Sequence, residues 1–310
     1  MRKISALVVT VGLLASLTAC ATEAGPGAAG CPSTGDAASV VSVSGAFGKK
    51  PDVTVPTPIA TTKTEVATIT AGDGEKVVDG TPVSIDFTLF DGTTGQELEN
   101  SGYDGTTPNP ITVGGSTLGP LADGLKCSTV GSRVVVTMKA SELNASAQGS
   151  APTTKNDEPD ASYVAVVDIR KAYLPKADGH LVPGANGLPA VVTAPNGAPG
   201  ISVPDAAAPT SEVTHLVRQG TGHTLTSKDT AVIQFTAVTW ETPATVASST
   251  WTNGGSATSV RLDDDQIPAE ITKALIGQTV GSQVMVVIPA DQAKGIAQTY
   301  VYVFDVLGVL

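Results

Sequence analysis

Val280-Gly281-Ser282-Gln283-Val284-Met285-Val286 decides the fold, because Val130-Gly131-Ser132-Arg133-Val134-Val135-Val136 states the same pattern about 150 residues earlier. Upstream of each copy stand a Gly-x-Gly (Gly72-Asp73-Gly74; Gly220-Thr221-Gly222) and an alternating run (Val83-Ser84-Ile85-Asp86-Phe87; Val232-Ile233-Gln234-Phe235). Leu121 and Leu125 in the first copy answer to Ile271 and Leu275 in the second. Downstream come Tyr163…Val167-Asp168-Ile169 and Tyr300…Phe304-Asp305-Val306. The interval from Gly74 to Phe87 equals that from Gly222 to Phe235, and Leu121 to Gly131 equals Ile271 to Gly281. A cassette this long, present twice, means two tandem domains rather than a solenoid.

Within a copy the hydrophobic period changes in a fixed order. Val83, Ile85, Phe87 and Leu89 alternate with polar residues and predict a half-buried strand, closed by the turn signal Asp91-Gly92. Thr64 to Thr70, Ile111 to Val113, Arg133 to Met138 and Tyr163 to Ile169 are the other predicted strands. Leu118, Leu121, Ala122 and Leu125 follow helical spacing and predict one short helix. The second copy predicts strands at 213–217, 231–239, 259–262, 283–288 and 300–307, and a helix at 268–275. Five or so strands with one helix make each copy an α+β unit of about 100 residues.

Arg2 and Lys3 precede an apolar run from Ile4 to Leu17, too short to span a bilayer as a helix and shaped like an export signal. Leu17-Thr18-Ala19-Cys20 resembles a bacterial lipobox, which implies diacylation of Cys20; an ordinary secretory signal is the alternative. Acyl chains contribute about 0.8 kcal/mol per buried methylene, enough to tether a soluble domain. The formal net charge of −11 becomes −13 once Arg2 and Lys3 are removed, so the surface repels nucleic acid and anionic lipid. Cys31 and Cys127 remain and are a disulfide candidate in an exported chain; buried free thiols are the alternative. A bridge would close a loop of about 95 residues, worth on the order of 4–5 kcal/mol in the chain-entropy view.

The expected organisation is a signal at 1–19, a flexible tether at 20–35, an N-terminal arm at 36–63 packing on the first domain, and that domain at 64–173. A Pro/Gly/Ala-rich linker at 174–211 and the second domain at 212–310 complete it.

The ordered set resembles FKBP-type peptidyl-prolyl isomerases: the Gly-x-Gly hairpin, the Val-x-Val-x-aromatic strand, the short helix, Val-Gly-Ser-x-Val-x-Val-x-Ile-Pro and the closing Tyr-Val-x-Val-x-Asp-Val strand. It covers 212–310 closely and 64–173 more loosely, while Ser44-Gly45-Ala46-Phe47-Gly48-Lys49-Lys50-Pro51 looks like the arm of tandem FKBP-like lipoproteins of actinobacteria. The resemblance implies a curved antiparallel sheet wrapped on one helix, an apolar pocket between them, and rotation about X–Pro bonds without metal or cofactor. It implies proline-containing exported polypeptides as partners, and a monomer at the outer face of the membrane, held there by Cys20.

Carried over position by position, it makes Phe235, Ile267, Ile271, Trp251 and Tyr302 the catalytic pocket, with Trp251 as a lid. Phe87, Leu98, Glu99, Leu118 and Leu121 are the substrate-binding counterparts in the first domain. Several family aromatics are replaced: Ile271 and Leu121 stand where a floor tryptophan belongs, Ala247-Ser248 and Leu98-Glu99 where Phe-Asp belongs, Lys294 and Asn144 where a loop tyrosine belongs. Each missing ring removes ~1–3 kcal/mol of binding surface. A non-catalytic peptide-holding chaperone or scaffold is therefore the second expectation. Tandem immunoglobulin-like sandwiches fit the composition but predict no helix at matched positions.

Other chemistry finds little support. Asp263-Asp264-Asp265 lacks the spacing of a calcium loop and reads as a solvated turn, as does Asn156-Asp157-Glu158-Pro159-Asp160. His180, His215 and His223 form no ligand pair, and hydrolase elbows, phosphate loops and dinucleotide fingerprints are missing.

Overall fold

The Val-Gly-Ser turn and the Gly-x-Gly segment belong together in space, and they do so identically twice. Gly72 N–H donates to Ser132 Oγ at 2.9 Å and Gly220 N–H to Ser282 Oγ at 2.9 Å. Thr129 and Thr279 hydroxyls donate to the Gly72 and Gly220 carbonyls at 2.8 Å. A Cβ on Gly72 or Gly220 would collide with the carbonyl of Val130 or Val280, so only glycine permits this approach.

The computed structural model describes residues 30–104, 110–147, 160–252, 254–291, 293 and 295–310. The export signal, Cys20, Lys294 and the acidic tip at 156–159 lie outside the described residues. No helix among the described residues is long and apolar enough to cross a membrane.

The first half runs β1 (Ser33–Thr34), α1 (Asp36–Ser39), β2 (Ser42–Ser44), β3 (Asp52–Thr54), β4 (Ala60–Thr61), β5 (Glu65–Thr70), β6 (Pro82–Asp91) and β7 (Glu97–Asn100). It continues with β8 (Ile111–Thr112), α2 (Gly119–Gly124), β9 (Arg133–Lys139), α3 (Ala140–Ala147) and β10 (Asp160–Ala172). Then follow β11 (His180–Leu181), β12 (Ala190–Thr193), β13 (Pro199–Ser202), β14 (Val213–Gln219), β15 (Thr230–Thr239) and β16 (Val246–Ser249). β17 (Thr258–Arg261), α4 (Ala269–Leu275), β18 (Gln283–Ile288) and β19 (Tyr300–Val309) complete the chain.

The sheets are larger than the five strands expected per unit. The first has eight, ordered β1-β5-β9-β10-β6-β7 with β4 on β10 and β8 on β6; the second has seven, ordered β11-β14-β18-β19-β15-β16 with β17 on β15. Short flanking segments supply the extra strands: β1 joins β5 in parallel and β11 joins β14 antiparallel. The order β5-β9-β10-β6-β7 is matched by β14-β18-β19-β15-β16, so both halves share one topology.

Each sheet buries both faces. On one, Val83, Ile85, Val134, Val136, Ala165 and Val167 pack with Leu121 and Leu125 of α2 and its C-cap; Ile233, Val284, Val286, Phe304 and Val306 pack with Ala274 and Leu275 of α4. The opposite faces are covered by hairpins. β2–β3 of the arm lays Val43, Val53 and Val55 on Val135, Val164 and Val166. The 174–211 stretch, expected as an extended linker, forms the hairpin β12–β13, which lays Val191, Ile201 and Val203 on Met285, Val287, Val301 and Val303. Proline and glycine density hid these four-residue strands, whose packing partner is a sheet face and not a sheet edge.

Cys31 and Cys127 are bonded to each other, with Cα atoms 5.6 Å apart and a sequence separation of 96. The pair fastens the start of the arm to the turn after α2. Tyr173, Leu174, Val232, Ala257 and Leu307 form an apolar seam between the halves. Leu174 N–H donates to Leu307 O at 3.1 Å, Ser116 N–H to Gly254 O at 2.8 Å, and Ala257 N–H to Thr112 Oγ1 at 3.0 Å across the same seam.

Candidate functional site

Phe235 lies opposite Phe304 in the β15–β19 register, and alternation along β19 puts Tyr302 and Phe304 on one face. The Phe235 centroid is 5.7 Å from Phe304 and 6.4 Å from Tyr302; Tyr302 stacks on Phe304 at 5.7 Å with 2° between the planes. Burial pushes the Tyr302 phenol up, with the neighbouring Tyr300 adding a smaller push. Phe235, Ile271 and Tyr302 are all partly buried against the second half's core, leaving part of each side chain accessible.

Beside this group, before and along α4, opens a cavity of about 550 Å³. Leu262, Ile267, Pro268 and Ile296 are its apolar lining; Asp263, Asp264, Asp265, Gln266 and Glu270 are its polar wall. Ile296 links the two features, since it also packs on the core that holds Phe235 and Tyr302. The acidic wall is partly self-satisfied: Asp264 accepts the Gln266 N–H at 2.9 Å, and Asp263 pairs with Arg261 at 2.9 Å.

Phe235, Ile271 and Tyr302 pack on one core cluster, while Ile267 lines the cavity and shares with that cluster only Ile296. Trp251 goes elsewhere, which corrects its expected place as a lid: its ring reaches the β12–β13 turn, where a Cβ on Gly197 would sit 2.6 Å from Cη2. In the first half Phe87, Leu118 and Leu121 pack on one core cluster. Leu98 is left over at a bulge between Leu89 and Phe90 and is 48% exposed, and Glu99 is exposed opposite Leu89.

The opposite face of each sheet carries a buried polar pair. In the first half Arg133 and Asp168 face each other on β9 and β10 and are buried. Arg133 donates through Nε and Nη2 to both Asp168 oxygens at 2.6 and 2.7 Å, and to the carbonyls of Gly45, Ala46 and Lys49 at 2.9, 3.0 and 2.8 Å. Gly48 N–H donates to Asp168 at 2.6 Å. In the second half Gln283 faces Asp305 and donates to it at 2.7 Å, while Ala177 N–H donates to Asp305 at 2.9 Å. Burial pushes the Asp305 carboxyl up to about 6 against the opposing pull of those two hydrogen bonds. The signal was present in the sequence: a polar residue at the same inward position of a Val-rich strand in both copies.

The chain is distantly similar to FKBP-type isomerase domains of known structure. It resembles the three FKBP domains of wheat FKBP73 at 15% identity, over 80% of this chain and 94% of that one, with a TM-score of 0.29. For FkpA from Escherichia coli the values are 22% identity, 40% and 52% coverage and a TM-score of 0.29. For the N-terminal domain of FKBP42 from Arabidopsis thaliana they are 19%, 36%, 86% and 0.28. No protein-family model matches the chain, and no curated protein sequence matches it.

Proposed function

We propose that the second half is a peptidyl-prolyl isomerase site of FKBP type, acting on exported polypeptides from a lipid anchor at Cys20. The observation that carries this reading is the partly exposed set Phe235, Tyr302 and Ile271 beside a cavity lined by Ile267 and Ile296. Rotation about an X–Pro bond passes through a twisted amide that has lost resonance, against a barrier of ~18–20 kcal/mol. The planar amide is the more polar form, so apolar enclosure raises it relative to the twisted one, and no nucleophile or metal is needed. Phe235, Tyr302 and Ile271 supply the enclosure, and Ile267 with Ile296 receives the neighbouring substrate residue. Phe87, Leu118 and Leu121 form the weaker counterpart in the first half. A second reading, a peptide-holding chaperone without catalysis, is favoured by one observation: Ile271 provides no ring on the α4 side of the site.

A protease-coupled isomerisation assay on an Ala-Leu-Pro-Phe peptide with the full chain tests both. Catalysis is expected above the thermal rate, with Phe235→Ala lowering kcat/KM about 10-fold and Ile271→Trp raising it. A wild-type chain and an Ile271→Trp variant that both leave the thermal rate unchanged, while a proline-containing client still binds, would overturn the isomerase in favour of the holder.

A further inference from the structure

The two back-face hairpins rest on equivalent cross-strand rows with different charge. In the first half the row is Asp86, Asp168, Arg133, with Arg170 also 3.3 Å from Asp86, so two carboxylates meet two guanidinium groups. In the second half the row is Gln234, Asp305, Gln283: one carboxylate, 1% exposed, between two neutral amides. The cations that face Asp305 act only at longer range: Arg218 of β14, whose Nη1 is engaged by Gly179 O, and Lys176, whose Nζ donates to Pro195 O. Asp178, beside Gly281, adds a further negative charge at the root of the connector.

Asp305 reaches the hairpin by two routes. Through Gln283 it meets Thr193, whose hydroxyl lies 3.5 Å from Gln283 Oε1. Through the Ala177 N–H it fixes the chain beside Lys176, on which the hairpin turn at Pro195 and Gly197 rests. Lifting the hairpin and its root would let water reach a carboxylate that is otherwise dry.

We propose that the β12–β13 hairpin is a pH-gated strap, held shut over the apolar back face of the second sheet while Asp305 carries a proton and opened more often once Asp305 is ionised. The direction follows from solvation. An ionised carboxylate gains by reaching water, whereas a protonated one does not, so ionisation favours the open state. Opening bares Met285, Val287, Val301 and Val303. The arm hairpin β2–β3, clamped by the Arg133–Asp168 ion pair, is the internal control.

Hydrogen exchange on the full chain, read at the amides of 190–202 and 42–54 and corrected for intrinsic rates, tests the strap. Between about pH 4.5 and about pH 7.5, protection at 190–202 is expected to fall by about 10-fold to about 100-fold, while protection at 42–54 stays level. Asp305→Asn removes the titration and is expected to flatten the dependence; Gln283→Arg, which gives Asp305 a partner like Arg133, should flatten it independently. Level protection at 190–202 in the wild type, or an unchanged slope in whichever variant folds, would overturn the proposal.

Discussion

The two halves solve one packing problem with different chemistry. Both seat a β-hairpin on the back of a sheet; Asp168 of the last strand sits under the loop of the first hairpin, and Asp305 under the root of the second at Ala177. The first half surrounds that aspartate with a fully engaged arginine; the second leaves it between glutamines. The arm of the first half is also held by the Cys31–Cys127 bond, whereas the β12–β13 hairpin contains no cysteine. One hairpin is fastened by a covalent bond and an ion pair; the other relies on apolar packing and on the hydrogen bonds that Gln283 and Ala177 give to Asp305. The difference teaches that burial alone does not set the clamp, because both aspartates are equally buried.

The largest way to break this contrast is Arg133→Ala. It strands the Asp168 carboxylate in the interior together with the Gly45, Ala46 and Lys49 carbonyls. Removing one partner of a buried pair costs about 3–5 kcal/mol, so denaturant unfolding of the full chain should show a loss of that size, with Gln283→Ala losing distinctly less. Next is the bridge: a Cys31→Ser, Cys127→Ser double variant should lose about 2–4 kcal/mol and gain early proteolytic cleavage in 31–63, without change at 190–202.

The smallest effect separates two turn glycines, both with positive φ: Gly48 at +74° and Gly197 at +105°. A Cβ on Gly48 meets the end of the Arg170 side chain, which can swing away; one on Gly197 meets Lys176 Cβ and the Trp251 ring, which cannot. Gly197→Ala should therefore cost about 2 kcal/mol and Gly48→Ala about 1 kcal/mol, by thermal or denaturant melting.

The helix-covered face of each sheet was legible because its signals are local. Val83 to Leu89 alternate, Val130-Gly131-Ser132 turns, and Leu121 and Leu125 recur at helical spacing, each within one element. The edge strands β7 and β16 were missed because Glu97-Leu98-Glu99-Asn100 and Val246-Ala247-Ser248-Ser249 carry no apolar alternation; they are held only by pairing to β6 and β15. In the candidate region, Phe235, Ile271 and Tyr302 pack on one core, whereas the Trp251 ring lies against Gly197. Trp251 follows an edge strand, and which face a residue reaches after such a strand depends on bulges, here one between Ala237 and Val238, that spacing does not reveal. The hairpin β12–β13 was invisible for a related reason: its partner is a surface assembled from β14, β18 and β19, which exists only after folding.

The seam of Tyr173, Leu174 and Leu307, reinforced at Ser116–Gly254 and Thr112–Ala257, carries one last consequence. Because an apolar cluster and hydrogen bonds at three separate points join them, the two halves within 31–310 keep a fixed spacing. If both halves bind a client as proposed, the second contact would be intramolecular, governed by the length of client between contacts and not by client concentration.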